Sequence, residues 1–443
     1  MCIAVIVTTV AMVAAALLAP PAAAAPSGLI WMQSWDPKGD LDYFDKMDLV
    51  RGPGGDLWIG AAARSGSGGS GLRRPIVARY SQAGAKRWGL VLPGTVDSFD
   101  YAGMAVDRGG NMIVAARCLE ASPREKWLVT KLSPSGRRLW TSTRMSPVAG
   151  AGSGSAWPAG VAVDSNGNSY VVGTIERAAT GNDVALCKYT PAGALKWTRY
   201  INGFETSRDS GVAVRVDGSN RIYVVGNVAN ASDRFDIVLA RYSTAGAEVW
   251  KRVWDGGATD VAEDLAVSAA GVAVSGGSRT AAGDNRGVVL KAAPAMAEGA
   301  PLLEKVTSHV GWNISWTSVA MNAAGDVAVG GPWLTGPGSY FAYARFQWAA
   351  PDAVASFPSS FGSTTCTDVW IGPDATVLAT GPWASETTGH DLFIVSDFVS
   401  VPDWGFIFGA GNTQKPMALA ATSSTIYVAG ISGHDIALWR YGR

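Results

Sequence analysis

Three kinds of residue in this chain could do chemistry: recurring carboxylates, a few histidines and an excess of aromatic rings. Asp48, Asp264 and Asp368 each open a strand-like segment, and Asp183, Asp236 and Asp391 each lie ten residues beyond a recurring small residue. Paired carboxylates are what glycosidic cleavage requires. A catalytic pair is needed once, however, and these recur, so loop capping accounts for them better. His309, His390 and His434 include the related triplets Gly389-His390-Asp391 and Gly433-His434-Asp435. Two such ligands without a third do not make a zinc site. Asp164-x-Asn166-x-Asn168 starts as a calcium loop would, but Ser169 and Ile175 stand where such a loop takes Gly and Glu. No catalytic set, no metal and no cofactor is expected.

The aromatic residues say more. Trp157, Trp312 and Trp316 precede first strands, Trp333 and Trp383 follow Gly-Pro after second strands, and Phe99 and Tyr101 flank Asp100. Rings among polar groups can stack on sugars or anchor a protein partner. The competing role is to roof a central channel. These seven are the candidate ligand-binding residues. Trp31, Trp88, Trp140, Trp197 and Trp250 instead recur at one position of a repeat, which points to packing between neighbouring units.

That repeat supplies the elements. Tyr80-x3-Gly84-x3-Trp88, Leu132-x3-Gly136-x3-Trp140, Tyr189-x3-Gly193-x3-Trp197 and Tyr242-x3-Gly246-x3-Trp250 share one spacing. Ala61, Ala116, Gly173, Gly226, Gly276, Gly331, Gly381 and Gly430 align at intervals of 49 to 57 residues. Such a period signals a solenoid or a propeller. Short strand-like runs (Val161-Ala-Val, Tyr170-Val-Val, Val184-Ala-Leu, Lys196 to Tyr200) and the lack of helical periodicity predict an all-β, eight-bladed β-propeller of four-stranded blades. Seven blades remain the alternative if a weak repeat, such as the sixth, is misread.

The chain stops at Tyr441-Gly442-Arg443, where the pattern has just opened, and Trp31-x3-Trp35-Asp36 matches Trp250-x3-Trp254-Asp255. The segment 29–35 is therefore expected to complete the last blade and close the ring, removing a free strand edge. Turns within blades, such as Asp164 to Asn168 and Thr190 to Gly193, are short. Connections on the opposite face, such as Met145 to Pro158, are longer, and variable loops on a rigid frame carry function.

Residues 1–24 read as a signal peptide, with an apolar run over Ile3 to Ala19 and Ala22-x-Ala24 fitting cleavage, although no basic residue precedes Lys38. Residues 25–443 form one domain, long enough to bury a large core. Thirty-six basic against 36 acidic residues argues against a nucleic-acid or polybasic membrane surface. Cys118, Cys187 and Cys366 are an odd, widely spaced set, more consistent with buried thiols than with a disulfide framework.

The run Gly160-Val-Ala-Val-Asp-Ser-Asn-Gly-Asn-Ser-Tyr-Val-Val-Gly173, with Asp183 to Tyr189 and Gly193-x3-Trp197, resembles the bacterial SBBP-type β-propeller repeat. Kelch repeats share the period and are the second choice. The resemblance implies a secreted or cell-surface propeller and no single activity. The expected function is non-catalytic binding of an envelope glycan or protein by a monomer through its longer-loop face. The alternative is an enzyme, either quinone-dependent and dehydrogenase-like or polysaccharide-cleaving. The repeats resemble those of the former, but no two cysteines here are adjacent.

Overall fold

Second strands of the repeats are apolar almost without interruption, as in Ile222-Tyr-Val-Val and Ser169-Tyr-Val-Val, and both faces of such a strand must be covered. In the computed structural model they are. Ser169–Arg177 is buried through its first seven residues and Ile222–Ala229 throughout, because a sheet packs against each face. Fourth strands such as Arg138–Met145 alternate between exposed and half-buried, as an outer edge should. The structure describes residues 29–442 except 36–40, 66–72, 93–97, 120–124, 149–153, 205–206, 281–282, 308–312, 336–337, 347–352, 358–364, 386–388, 399–400, 409–413, 433–434 and positions 233, 258, 298 and 423. The leader reading, His309, Trp312 and His434 lie outside the described residues.

Eight antiparallel sheets form the eight blades of a propeller, which decides between eight and seven. Blades one to seven cover 41–91, 98–145, 156–201, 210–254, 259–307, 313–357 and 368–408. The weak sixth repeat is irregular, its innermost strand split into Asn313–Ile314 and Ser318–Met321. Blade eight takes three strands from 414–442 and its outer strand from Leu29–Trp35. Trp31 pairs with Arg440, Gln33 with Leu438 and Trp35 with Ile436. The first and last described strands are thus stitched into one sheet, as the split repeat implies.

The Gly-x3-Trp spacing is an inter-blade clasp. The indole N–H groups of Trp88, Trp140 and Trp197 donate to Pro134 O (2.8 Å), Pro191 O (2.9 Å) and Thr244 O (3.3 Å), each in the third-to-fourth turn of the next blade. The rings lie against Gly136, Gly193 and Gly246, whose φ values are 81°, 89° and 86°. A Cβ at these glycines would come within 3.0, 2.6 and 2.9 Å of the rings. Left-handed backbone and close approach therefore require glycine together. A second clasp comes from the third strands. Arg79 donates to Pro134 O, Lys188 to Thr244 O, Arg241 to Pro294 O, Lys291 to Gly325 O and Arg345 to Ala375 O.

First-to-second turns are self-sufficient. Asp164 Oδ1 accepts the amides of Asn166 and Asn168, and its Oδ2 accepts Asn168 Nδ2 and the Tyr170 hydroxyl. With both oxygens engaged, the aspartate that mimics a calcium loop is a turn cap. The three cysteines of the described chain are buried, and none of them is in a disulfide among the described residues.

Candidate functional site

The innermost strands surround a channel with a volume of about 880 Å³. Strand register breaks by one residue near the start of several of them, at Ala102, Ala159, Val212, Glu263 and Met417. A bulge of this kind re-aims side chains. The residue after the break is Gly103, Gly160, Ala213, Asp264 and Ala418, and register puts Asp48, Ser318 and Asp368 at the same height. One ring of the channel therefore carries small residues on one side and three aspartates on the other. The small residues let neighbouring strands approach: a Cβ at Gly160 would be in van der Waals contact with the Ala213 backbone at 3.5 Å.

The aspartates are tied. Asp264 Oδ1 accepts from Arg215 (2.9 Å) and from the amide of Leu265, and its Oδ2 accepts the amide of Val319 in the next blade. Asp368 Oδ1 accepts from the Ser318 hydroxyl (2.8 Å) and the Val369 amide, and its Oδ2 accepts the Leu419 amide of the next blade (2.7 Å). Asp48 Oδ2 accepts the Tyr101 hydroxyl at 2.6 Å. Confinement in the channel raises the Asp368 carboxyl to about 7 against the pull of Leu419 and Ser318, and the Asp264 charge adds to it. Confinement also raises Asp264, opposed by Arg215. A carboxyl near neutrality suits acid–base work, but one whose oxygens take three donors has its geometry set by the ring.

Lys46 and Glu263 are different. Both are exposed at the longer-loop half of the channel. Lys46 Nζ donates to Ala102 O and Ala159 O, spanning blades two and three. The Glu263 carboxyl opens to channel water yet is walled by protein, and burial together with the Asp264 charge raises it. Thr317, Thr365 and Thr367 line the same part.

The candidate aromatic residues do not form one cluster. Tyr101 and Trp157 meet in a recess of about 430 Å³ between blades two and three, with Ala102, Arg117 and Pro158. The Arg117 guanidinium lies 5.4 Å from the Trp157 ring centre. Trp157 is half-buried, whereas Tyr101 is only 4% exposed and its ring packs over Gly60 of blade one. Trp316 is wholly enclosed between blades five and six, packed over Gly287. Trp333 is half-buried on the same cluster, 5.7 Å from Tyr340. Trp383 and Phe99 sit in strands opposite Asp391 and Cys118, but their side chains, like that of His390, are outside the described set. Lys46, Glu263 and Arg117 escape sequence reasoning because no repeat position singles them out. An isolated charge at the start of an otherwise small-residue strand is the one signal that could have found the first two.

Sequence comparison agrees with this architecture. Residues 149–175 match a family described as a β-propeller repeat, SBBP. The matched segment takes in the first strand of blade three and most of its second. No match was found among curated proteins. Among solved structures, an unknown-function protein from Dyadobacter fermentans DSM 18053 is similar at 11% identity and a TM-score of 0.45, over 95% of this chain and all of that one. BamB from Moraxella catarrhalis is similar at 13% identity and a TM-score of 0.37, over 93% and 96%. A puromycin hydrolase is similar at 13% identity and a TM-score of 0.48, over 88% of this chain and 58% of the hydrolase. The blade count and strand order rest on the sheet topology itself.

Proposed function

We propose that this chain is an exported, non-catalytic propeller that binds an envelope glycan at the longer-loop mouth of its channel and in the adjoining Trp157 recess. One observation carries the reading: Ala102 lines both the channel and the recess, so the two adjoin. Together they offer a sugar what it needs. Trp157 supplies a stacking ring, Arg117, Lys46 and the threonines supply donors, and Glu263 is an acceptor. Asp264 and Asp368, whose carboxylate oxygens are all engaged, support binding over hydrolysis. In a glycan array followed by calorimetry, Trp157→Ala and Glu263→Gln should each weaken binding of the selected glycan at least tenfold, with little change in melting temperature. Unaltered glycan binding by both variants would overturn the reading. Capture of an envelope protein in place of any glycan would replace it with the protein-partner form.

A further inference from the structure

The junction between blades four and five gathers three carboxylates. Asp236 lies in the third strand of blade four, Asp255 just beyond its fourth strand, and Asp260 in the first strand of blade five. One carboxylate oxygen from each lies within 4.8 Å of the other two. Asp260 is wholly buried and Asp236 is 7% exposed, while Asp255 faces solvent. Asp260 Oδ2 accepts the Gly256 amide at 2.6 Å, but its enclosed Oδ1 has no hydrogen-bond partner among the described residues. A bare ionised oxygen in the interior is costly, so this one calls for a proton or a cation.

The preceding junction is an internal control. Register and spacing put Asp183, Asn202 and Asp209 where the later junction has Asp236, Asp255 and Asp260. Gly203 donates to Asp209 Oδ2 at 2.6 Å just as Gly256 donates to Asp260. There, however, Asp209 Oδ1 accepts the Ala229 amide at 2.8 Å. Asp183 also has one unpartnered oxygen, but Arg177 answers its charge at 2.8 Å. The repeat position of Arg177 is Asn230 in the next blade, and that of Asn202 is Asp255. Passing from one junction to the next removes a cation and adds an anion. Arg286 approaches the later junction and its charge acts on Asp260, but its Nη2 donates to Gly256 O and Ser278 Oγ and not to a carboxylate.

We propose that Asp236, Asp255 and Asp260 bind a calcium ion that ties blade four to blade five. The donors are all oxygen, which favours a hard cation over zinc. One calcium ion about 2.4 Å from an oxygen of each carboxylate requires those oxygens to lie within about 4.8 Å of one another, and they do.

Trp254 adjoins Asp255 and can sensitise bound terbium. Trp-excited terbium emission on the mature chain, competed by calcium, should report the site, and calcium should raise the melting temperature relative to EDTA. Asp255→Asn, which restores the residue of the earlier junction on an exposed position, should weaken calcium at least tenfold. Asn230→Arg, which restores its cation while giving up the bonds Asn230 accepts from the Ser232 and Arg234 amides, should abolish the response, and Asp255→Asn should melt in EDTA no lower than the parent. Absence of emission and of any melting shift at millimolar calcium overturns the proposal. So does a calcium response that persists unchanged in both variants, and a response to magnesium with none to calcium overturns the choice of ion.

Discussion

The two halves of the ring are held together by different chemistry. From blade one to blade four, the outer strands do much of the joining, each tryptophan covering a glycine of the next blade and donating to its turn, beside the channel bonds of Lys46 and Asp48. From blade five to blade eight, much of the joining moves to the channel, where Asp264 and Asp368 accept amides of the following blade and Thr367 donates to Pro416 O at 3.0 Å. Basic side chains on the third strands serve both halves. Apolar cover at the rim does not respond to pH, whereas carboxylates confined in a channel do. A propeller can therefore drop its repeat signature without losing contact between blades, provided another position takes over. The cost is sensitivity to conditions in the half that made the exchange.

The largest effect should come where the two halves meet. Deleting 29–35 strips the outer strand from blade eight along its whole pairing with Asp435–Gly442. It also uncovers Gly89 of blade one, on which Trp35 packs. The deleted chain should melt far lower or associate through the exposed edge. A monomer with parental melting temperature would show that the seam contributes little and that either half-ring stands alone.

Next in size is the rim clasp. Trp140 spans to blade three, stacked 6.5 Å from Tyr189 and bonded to Pro191 O. Trp140→Ala should cost about 2–4 kcal/mol, somewhat less than for a fully buried indole because its outer edge is wet. The loss should be the same at pH 5 and pH 8 in denaturant titrations. A loss that varied strongly with pH would erase the distinction between the halves.

The first half was far more legible than the second, for a physical reason. A left-handed glycine under an indole permits almost no substitution, so blades one to four spell their period in residue types. Where the clasp passed to Asp264 and Asp368, each contact needs only a carboxylate at one strand position. Those aspartates read as caps of loops, not as fasteners between blades. Closure by 29–35 was legible because Trp31 and Trp35 keep the fourth-strand spacing. The Trp157 recess was half visible, since Trp157 and Tyr101 stand out but Arg117 does not. Trp316 was expected at a loop face because it precedes a strand, and the structure encloses it where Gly287 leaves room for the ring. The junction carboxylates come from three segments of two blades, and only pairing register brings Asp236 to Asp260.

The smallest effect is the sharpest test of the contrast. The Asp368 carboxyl sits near 7 in the folded ring because channel confinement outweighs its donors Leu419 and Ser318, and Asp264 adds like charge. Unfolded, it titrates near 3.8. Between those values the native chain holds a proton that the unfolded chain has released. Stability should therefore be fullest below about pH 4, fall as pH rises towards 7, and level off above it. A shift of about three units corresponds to roughly 4 kcal/mol at most, and contact with channel water reduces that to roughly 1–3 kcal/mol. Asp264 is displaced in the same direction and steepens the slope. Denaturant titrations from pH 4.5 to 8 should show the decline in the parent. They should show a flatter profile in Asp368→Asn, which cannot ionise but keeps an acceptor for Ser318. The variant starts lower at acid pH, because its amide faces the Leu419 N–H, so the slope and not the intercept is the readout. Parallel profiles for parent and variant would mean that Asp368 is ionised throughout, and the channel half would then be as indifferent to pH as the tryptophan rim.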